Sequence, residues 1–100
     1  MRLIARSNLV AFWEAHPETR ASLVHWITVV SSASWQNTGE VQASFSKAKV
    51  LNAERVRFEV AGGNYRLIVA FKFEAQIAFV KFIGTHKQYD AIDALTISVF

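Results

Sequence analysis

The sequence predicts an α+β domain with its helices first and a mainly antiparallel sheet after them, and three observations carry that expectation. Apolar residues recur at helical spacing between residues 7 and 31 and alternate one by one between 55 and 83. A Gly62-Gly63-Asn64 stretch inside the alternating half supplies the positive φ angles that a tight hairpin needs. A chain of 100 residues suffices for one core but not two, so both halves are expected to pack together as a single domain over residues 1–100.

The elements follow in order. "MRLIA" reads as a short first strand. Ser7 offers an N-cap oxygen for a helix through about Ala15, with Leu9, Phe12, Trp13 and His16 on its buried side. Pro17 suits the first turn of a second helix, which Leu23, Val24, Trp26, Ile27 and Val30 carry to about Ser31. These two form a helical hairpin with an apolar seam, and His16 and His25 are read as packing residues within it. "SSASWQNTG" is turn-rich, and Thr38 is expected to cap a short helix through Phe45. There are no repeats, low-complexity tracts or linkers.

In "RVRFEVAGGNYRLIVAFKF" two alternating runs flank the glycines. A two-residue loop places Val56, Phe58 and Val60 on one face with Tyr65, Leu67, Val69 and Phe71, so every apolar position falls on one side. A second turn at Glu74 and Ala75 adds Ala78, Val80 and Phe82 to that wall, which the helical hairpin is expected to cover. The other face then holds Arg55, Arg57, Glu59, Arg66, Ile68, Ala70, Lys72, Ile77, Phe79, Lys81 and Ile83, with Ile83 opposite Arg66. A basic face with interleaved aromatic residues can hold phosphates on its cations and stack a base on Phe79.

Composition narrows the function classes. Cysteine is absent, which excludes disulfides and thiolate metal sites and suits a reducing compartment. No apolar run approaches the ~20 residues of a membrane span, and "MRLIARSN" is too short and too soon broken by charge for a signal peptide. A soluble cytoplasmic protein with no membrane partner is expected. With no HExxH and no paired carboxylates, neither a catalytic metal nor a cofactor is expected.

The net charge of +3 is unevenly spread. Residues 1–46 are balanced, whereas 47–87 carry eight cations against Glu54, Glu59 and Glu74. Such an excess suits a long anion, nucleic acid above all, although a solvated lysine- and arginine-rich sheet surface would look the same on charge alone. In "FIGTHKQYDAID", residues 82–93, the alternation stops, and a threonine, a histidine, a lysine, a tyrosine and an aspartate crowd together.

With "GGNYRLIV", "IAFVKFIGTHKQYD" and the early "FWEAHPE" in place, the chain resembles HigB-type toxins of the RelE superfamily along nearly its whole length. The resemblance implies helices packed on one face of a twisted sheet, with a short C-terminal helix or turn. It further implies endoribonuclease activity on messenger RNA, usually ribosome-associated in relatives, held in check by a HigA-type antitoxin that binds DNA.

Metal-independent RNA cleavage needs a base for the 2′-hydroxyl proton, cations for the crowded phosphorane and an acid for the departing 5′-oxygen. His86 is the first candidate for acid or base, because imidazoles titrate near neutral pH; capping the following turn is its structural alternative. Tyr89, three residues on, can position the nucleophile, move a proton or stack on a base, or simply pack. Arg66 is the candidate for phosphate stabilisation, unless it is spent on an ion pair with Glu59 or Asp90. Arg57, Lys72 and Lys81 are read as positioning the RNA, and Lys47, Lys49 and Lys87 as attracting it. Asp90 is expected to orient His86 or Arg66, or to cap a helix beginning there, and Thr85 to shape the backbone. The apolar tail "DALTISVF" is expected either to pack on the sheet edge or to accept a partner.

Two further readings of the same residues compete. One is a non-catalytic RNA- or ribosome-binding module using the basic face, in which His86→Ala changes little and only charge removal matters. The other is a protein-interaction domain whose cations meet an acidic partner.

Overall fold

The structure, a computed structural model, describes residues 1–100. A first strand β1 (Arg2–Ile4) leads into helices α1 (Arg6–Ala15), α2 (Arg20–Ser32) and α3 (Thr38–Ser44). Strands β2 (Lys49–Val50), β3 (Arg55–Val60), β4 (Tyr65–Lys72) and β5 (Ile77–Thr85) follow, and a one-turn helix α4 (His86–Asp90) ends the regular structure. The five strands lie in the order β1-β5-β4-β3-β2, antiparallel except where β1 pairs parallel with β5. This is the α+β architecture expected, and no helix is long and apolar enough to cross a membrane.

Helices α1 and α2 bury Leu9, Leu23, Trp26 and Val30 against Val56, Phe58, Val60, Leu67, Val69, Phe71, Ala78 and Val80 of the sheet. Edge-to-face aromatic contacts tie the layers, with Trp26 at 5.3 Å from Phe58 and Trp35 at 5.9 Å from Phe71. Each fully buried Leu or Phe there contributes about 1.5–3 kcal/mol by burial. That layer therefore sets the fold. The helix side also differs from expectation, since Val24 is 41% exposed and His25 is exposed, each one position off the inward stripe.

Cap positions fall elsewhere than the sequence suggested. Ser7 lies inside α1, whose N-cap is Ala5 without a side-chain bond. Asn37 rather than Thr38 caps α3, accepting from the Glu40 amide at 3.0 Å while Glu40 reaches back to Asn37. Proline does open the second helical segment, as the first residue of a 3₁₀ turn over Pro17–Thr19.

The β3–β4 register is as expected, with Val60 opposite Tyr65 and Phe58 opposite Leu67. Ala61, Gly62 and Gly63 take φ of 52°, 71° and 93° to close the turn. A β-bulge between Ile68 and Val69 breaks the β4–β5 register, because Val69 pairs with Val80 but Ile68 pairs with Phe82. Beyond the bulge every β5 side chain changes face. Ile83 therefore packs on the helix-covered core opposite Leu67, Phe82 moves to the second face, and Gly84, not Ile83, stands opposite Arg66.

That second face is not open along its length. Ile68 and Phe82 are buried on it, at 0% and 7% exposed. Tyr89 lies over Phe82 with ring centroids 6.5 Å apart. The C-terminal tail crosses beyond it: Arg55 Nη1 donates to the Ala94 and Ile97 carbonyls at 3.1 and 2.8 Å, and the Val99 amide donates to the Lys81 carbonyl at 2.9 Å. The tail thus packs across the sheet and onto the β5 edge, and the continuous basic face read from the alternation is divided by it.

Candidate active site

The segment "GTHKQYD" owes most of its residues to one local construction. Thr85 caps α4, its hydroxyl accepting from the Gln88 amide at 3.1 Å while Gln88 Oε1 accepts from the Thr85 amide at 2.8 Å. Gly84 is required beneath this box, since a Cβ there would lie 2.6 Å from Gln88 Oε1 and 2.8 Å from the Phe82 ring. A five-residue helix cannot hold itself in water, so the cap and the Tyr89–Phe82 contact hold it. Thr85 is structural, and Asp90 ends the helix rather than capping one.

His86 and Lys87 are left in the exposed first turn. The Asp90 carboxylate reaches His86 Nε2 at 3.5 Å, with the two side chains 56% and 64% exposed. An exposed pair of this kind is worth about 0–1 kcal/mol, so Asp90 biases the ring's orientation without locking it.

Arg66 stands one residue into β4, directly across from Glu59 on β3 and Gly84 on β5. Its Nη1 donates to the Gly63 carbonyl at 2.7 Å and lies 3.7 Å from Glu59 Oε1. Arg57, on the same face of β3, meets the other Glu59 oxygen at 3.5 Å. Glu59 therefore sits between two guanidinium groups, and Arg66 pairs with Glu59, not Asp90. Lys49 is the direct cross-strand partner of Arg57 and extends this cationic end to the sheet edge.

The remaining cations lie elsewhere. Lys72, Phe79 and Lys81 line a groove at the opposite end of the sheet with Arg55, and Lys81 Nζ covers the Phe79 ring at 5.4 Å. Lys47 borders a cleft beside α2 and the edge of β3. His86, Tyr89, Asp90, Thr85, Arg66, Arg57, Lys87 and Lys49 thus gather toward one end of the molecule, Lys47 borders a cleft that Glu59 also lines, and Lys72, Lys81 and Phe79 do not join them.

One polar cluster escaped the sequence reading. Tyr65 donates its hydroxyl proton to Glu18 Oε1 at 2.9 Å, and His16 Nδ1 lies 3.5 Å from the same hydroxyl and 3.7 Å from Glu18. Phe12 stacks on His16 at 4.4 Å and meets Tyr65 edge-on. The hydrogen bond to Glu18, then burial and the carboxylate's charge, push the Tyr65 phenol above its ordinary value. His16 is thus a packing residue, stacked on Phe12, that also serves as a half-buried polar partner. No sequence signal marks it, because Tyr65 lies 47 residues from Glu18 and only the fold brings them together.

Comparison with known proteins bears on what this arrangement is for. A family model described as HigB_toxin, RelE-like toxic component of a toxin-antitoxin system, matches residues 19–92, a span that takes in Arg66, His86 and Tyr89. The chain is 26% identical over 98 residues to the mRNA interferase toxin HigB of Escherichia coli (strain K12), covering 95% of this chain and 93% of the relative. It is equally similar, at 26% over 98 residues, to proteins named mRNA interferase HigB from Escherichia coli O157:H7 and Shigella flexneri.

Proposed function

Because the chain belongs to the HigB family of RelE-like toxic components of toxin-antitoxin systems, we propose that it is an endoribonuclease that cleaves messenger RNA. The observation that carries this reading is the convergence of a partly spent arginine and an exposed, carboxylate-oriented histidine at one end of the sheet. In this reading residues 1–100 act as one toxin domain in the cytoplasm, on ribosome-associated message. A DNA-binding antitoxin of the HigA type restrains it by covering that end or by locking the helical hairpin.

The chemistry needs no group that the chain lacks. The 2′-oxygen attacks phosphorus, the bond to the 5′-oxygen breaks, and one proton leaves the nucleophile while another reaches the leaving group. His86, held by Asp90, serves one of these transfers, and Tyr89 positions the nucleophile or serves the other. Arg66 stabilises the charge that builds on the phosphorane oxygens, where a guanidinium fork suits phosphate geometry. The products are a 2′,3′-cyclic or 3′-phosphate and a 5′-hydroxyl. Arg57, Lys49 and Lys87 hold the backbone near the reacting phosphate with Lys47 beside them, whereas Lys72, Lys81 and Phe79 act on more distant RNA or on the ribosome.

Primer extension on a defined message in a purified translation system tests this. Wild type should cut, and His86→Ala and Arg66→Ala should each cut about 10²- to 10⁴-fold more slowly while remaining folded. Tight ribosome binding by wild type without any cut would replace the enzyme with the non-catalytic binding module.

A further inference from the structure

The Arg57–Glu59–Arg66 cluster is built in a way that simple ion pairing does not explain. Each guanidinium carries five N–H donors. Arg66 spends one on the Gly63 carbonyl, and Arg57 makes a single long contact to Glu59 at 3.5 Å. The Nε atoms of both arginines are buried and have no partner within the protein. Buried donors of this kind are normally satisfied, and charge-assisted bonds normally run near 2.8 Å, so two under-satisfied guanidiniums on one carboxylate form an unusual group. Their side chains are only 11% and 16% exposed, and Glu59 is 25% exposed between them.

The hairpin is shaped to keep the group together. A Cβ on Gly63 would lie 2.7 Å from Glu59 Oε1 and 3.2 Å from Arg66 Nη1, so a glycine there makes room for the pair. Without Glu59, two like charges would face each other in a partly desolvated site. One carboxylate offers too few acceptors for the donors present. A phosphodiester brings a negative charge, two non-bridging oxygens and the geometry that arginine forks match.

From this we infer that Glu59 is a placeholder for an RNA phosphate: it holds Arg57 and Arg66 together in the RNA-free protein, and a backbone phosphate displaces it to be gripped by both arginines. Arg57 is then the second arm of a phosphate clamp, and Glu59 is a positioning residue that also competes with the substrate. The clamp rests on the ribonuclease reading for its role in catalysis, though not for its anion chemistry. Neutralising Glu59 while keeping its shape removes the competitor and leaves a hydrogen-bond acceptor, so Glu59→Gln should bind RNA more tightly than wild type.

The test uses the full chain, labelled so that the Nε–H signals of Arg57 and Arg66 are visible by NMR and assigned with R57K and R66K. The probe is a fully 2′-O-methylated RNA hexamer, which has no nucleophile and cannot be cut. The expected result is that both signals move together on titration, and that E59Q binds roughly three- to tenfold more tightly with a steeper salt dependence. Movement of Arg66 alone, or an E59Q variant that stays folded and binds no more tightly, would overturn the clamp. Joint movement in a wild-type protein that never cuts message would sink the ribonuclease reading and leave the clamp standing.

Discussion

The backbone amide of His86 donates to the carbonyl of Asn64 at 3.0 Å, so the first residue of α4 is tied to the tip of the β3–β4 hairpin. The preceding carbonyl, that of Gly63, holds the Arg66 guanidinium. The candidate proton-transfer group and the candidate phosphate ligand are therefore anchored on adjacent residues of one turn. Their relative placement depends on that turn more than on the core behind it.

The two hairpin glycines should accordingly differ. Gly62, at φ 71° with nothing within 4 Å of where an alanine methyl would sit, should tolerate alanine at about 1–2 kcal/mol of backbone strain. Gly63 bears the same kind of strain at φ 93°, and its methyl would also strike Glu59 and Arg66. Gly63→Ala should thus lose cleavage by up to about 10²-fold, as a misplaced reacting group does, while Gly62→Ala keeps most of it. Cleavage rates compared at matched folded fraction check this, and equal losses would remove the turn from the site.

The Thr85–Gln88 capping box predicts a local effect on stability. Thr85→Ala should cost about 1 kcal/mol and Thr85→Ser much less, because serine keeps the oxygen that the Gln88 amide needs. Hydrogen exchange at the Gln88 amide should accelerate in the alanine variant before the β-sheet amides do. Unchanged exchange would mean that Tyr89 on Phe82, not the cap, holds α4.

How much of this was legible beforehand divides along physical lines. Period-two alternation ending at Gly62 and Gly63 placed Val56, Phe58 and Val60 against Tyr65, Leu67 and Val69, because one buried face admits one register. The same logic failed in "FVKFIG", where apolar residues lie on both sides of a bulge and alternation cannot say which residue is extra. Phe82 and Ile83 exchanged faces for that reason. Tyr89 lies over Phe82, and the tail that crosses beyond it is held by bonds to backbone groups, two from Arg55 and one to the Lys81 carbonyl, which leave no apolar periodicity. The crowding in "GTHKQYD" was legible as a cluster, but its threonine and glutamine proved to be the helix's own cap.

Arg55 should therefore matter for structure rather than for RNA. Charge-assisted bonds contribute about 1.5–3 kcal/mol each, and Arg55 makes two to the tail, at Ala94 and Ile97. Arg55→Ala should loosen residues 94–100, uncover Phe82 and Ile68, and raise the binding of a hydrophobic dye without global unfolding. Early proteolysis within the tail is the second readout. A variant that binds no dye and resists protease would show that Tyr89 covers the face without the tail.

Tyr65 supplies a prediction in alkali. Its hydrogen bond to Glu18 raises the phenol above the usual value of about 10, because ionising it would set two anions in contact. The folded state therefore keeps this proton at a pH where the unfolded chain has begun to lose it. The stability from this contact is fully present below about pH 10 and is lost as pH rises through the folded value. Glu18→Gln should return the phenol toward the ordinary value and flatten the alkaline fall in stability, with His16 left beside the hydroxyl. The tyrosinate absorbance of a Tyr89→Phe background reports Tyr65 alone, since the chain has two tyrosines. A titration midpoint identical with and without Glu18 would mean that the carboxylate does not hold the phenol in solution.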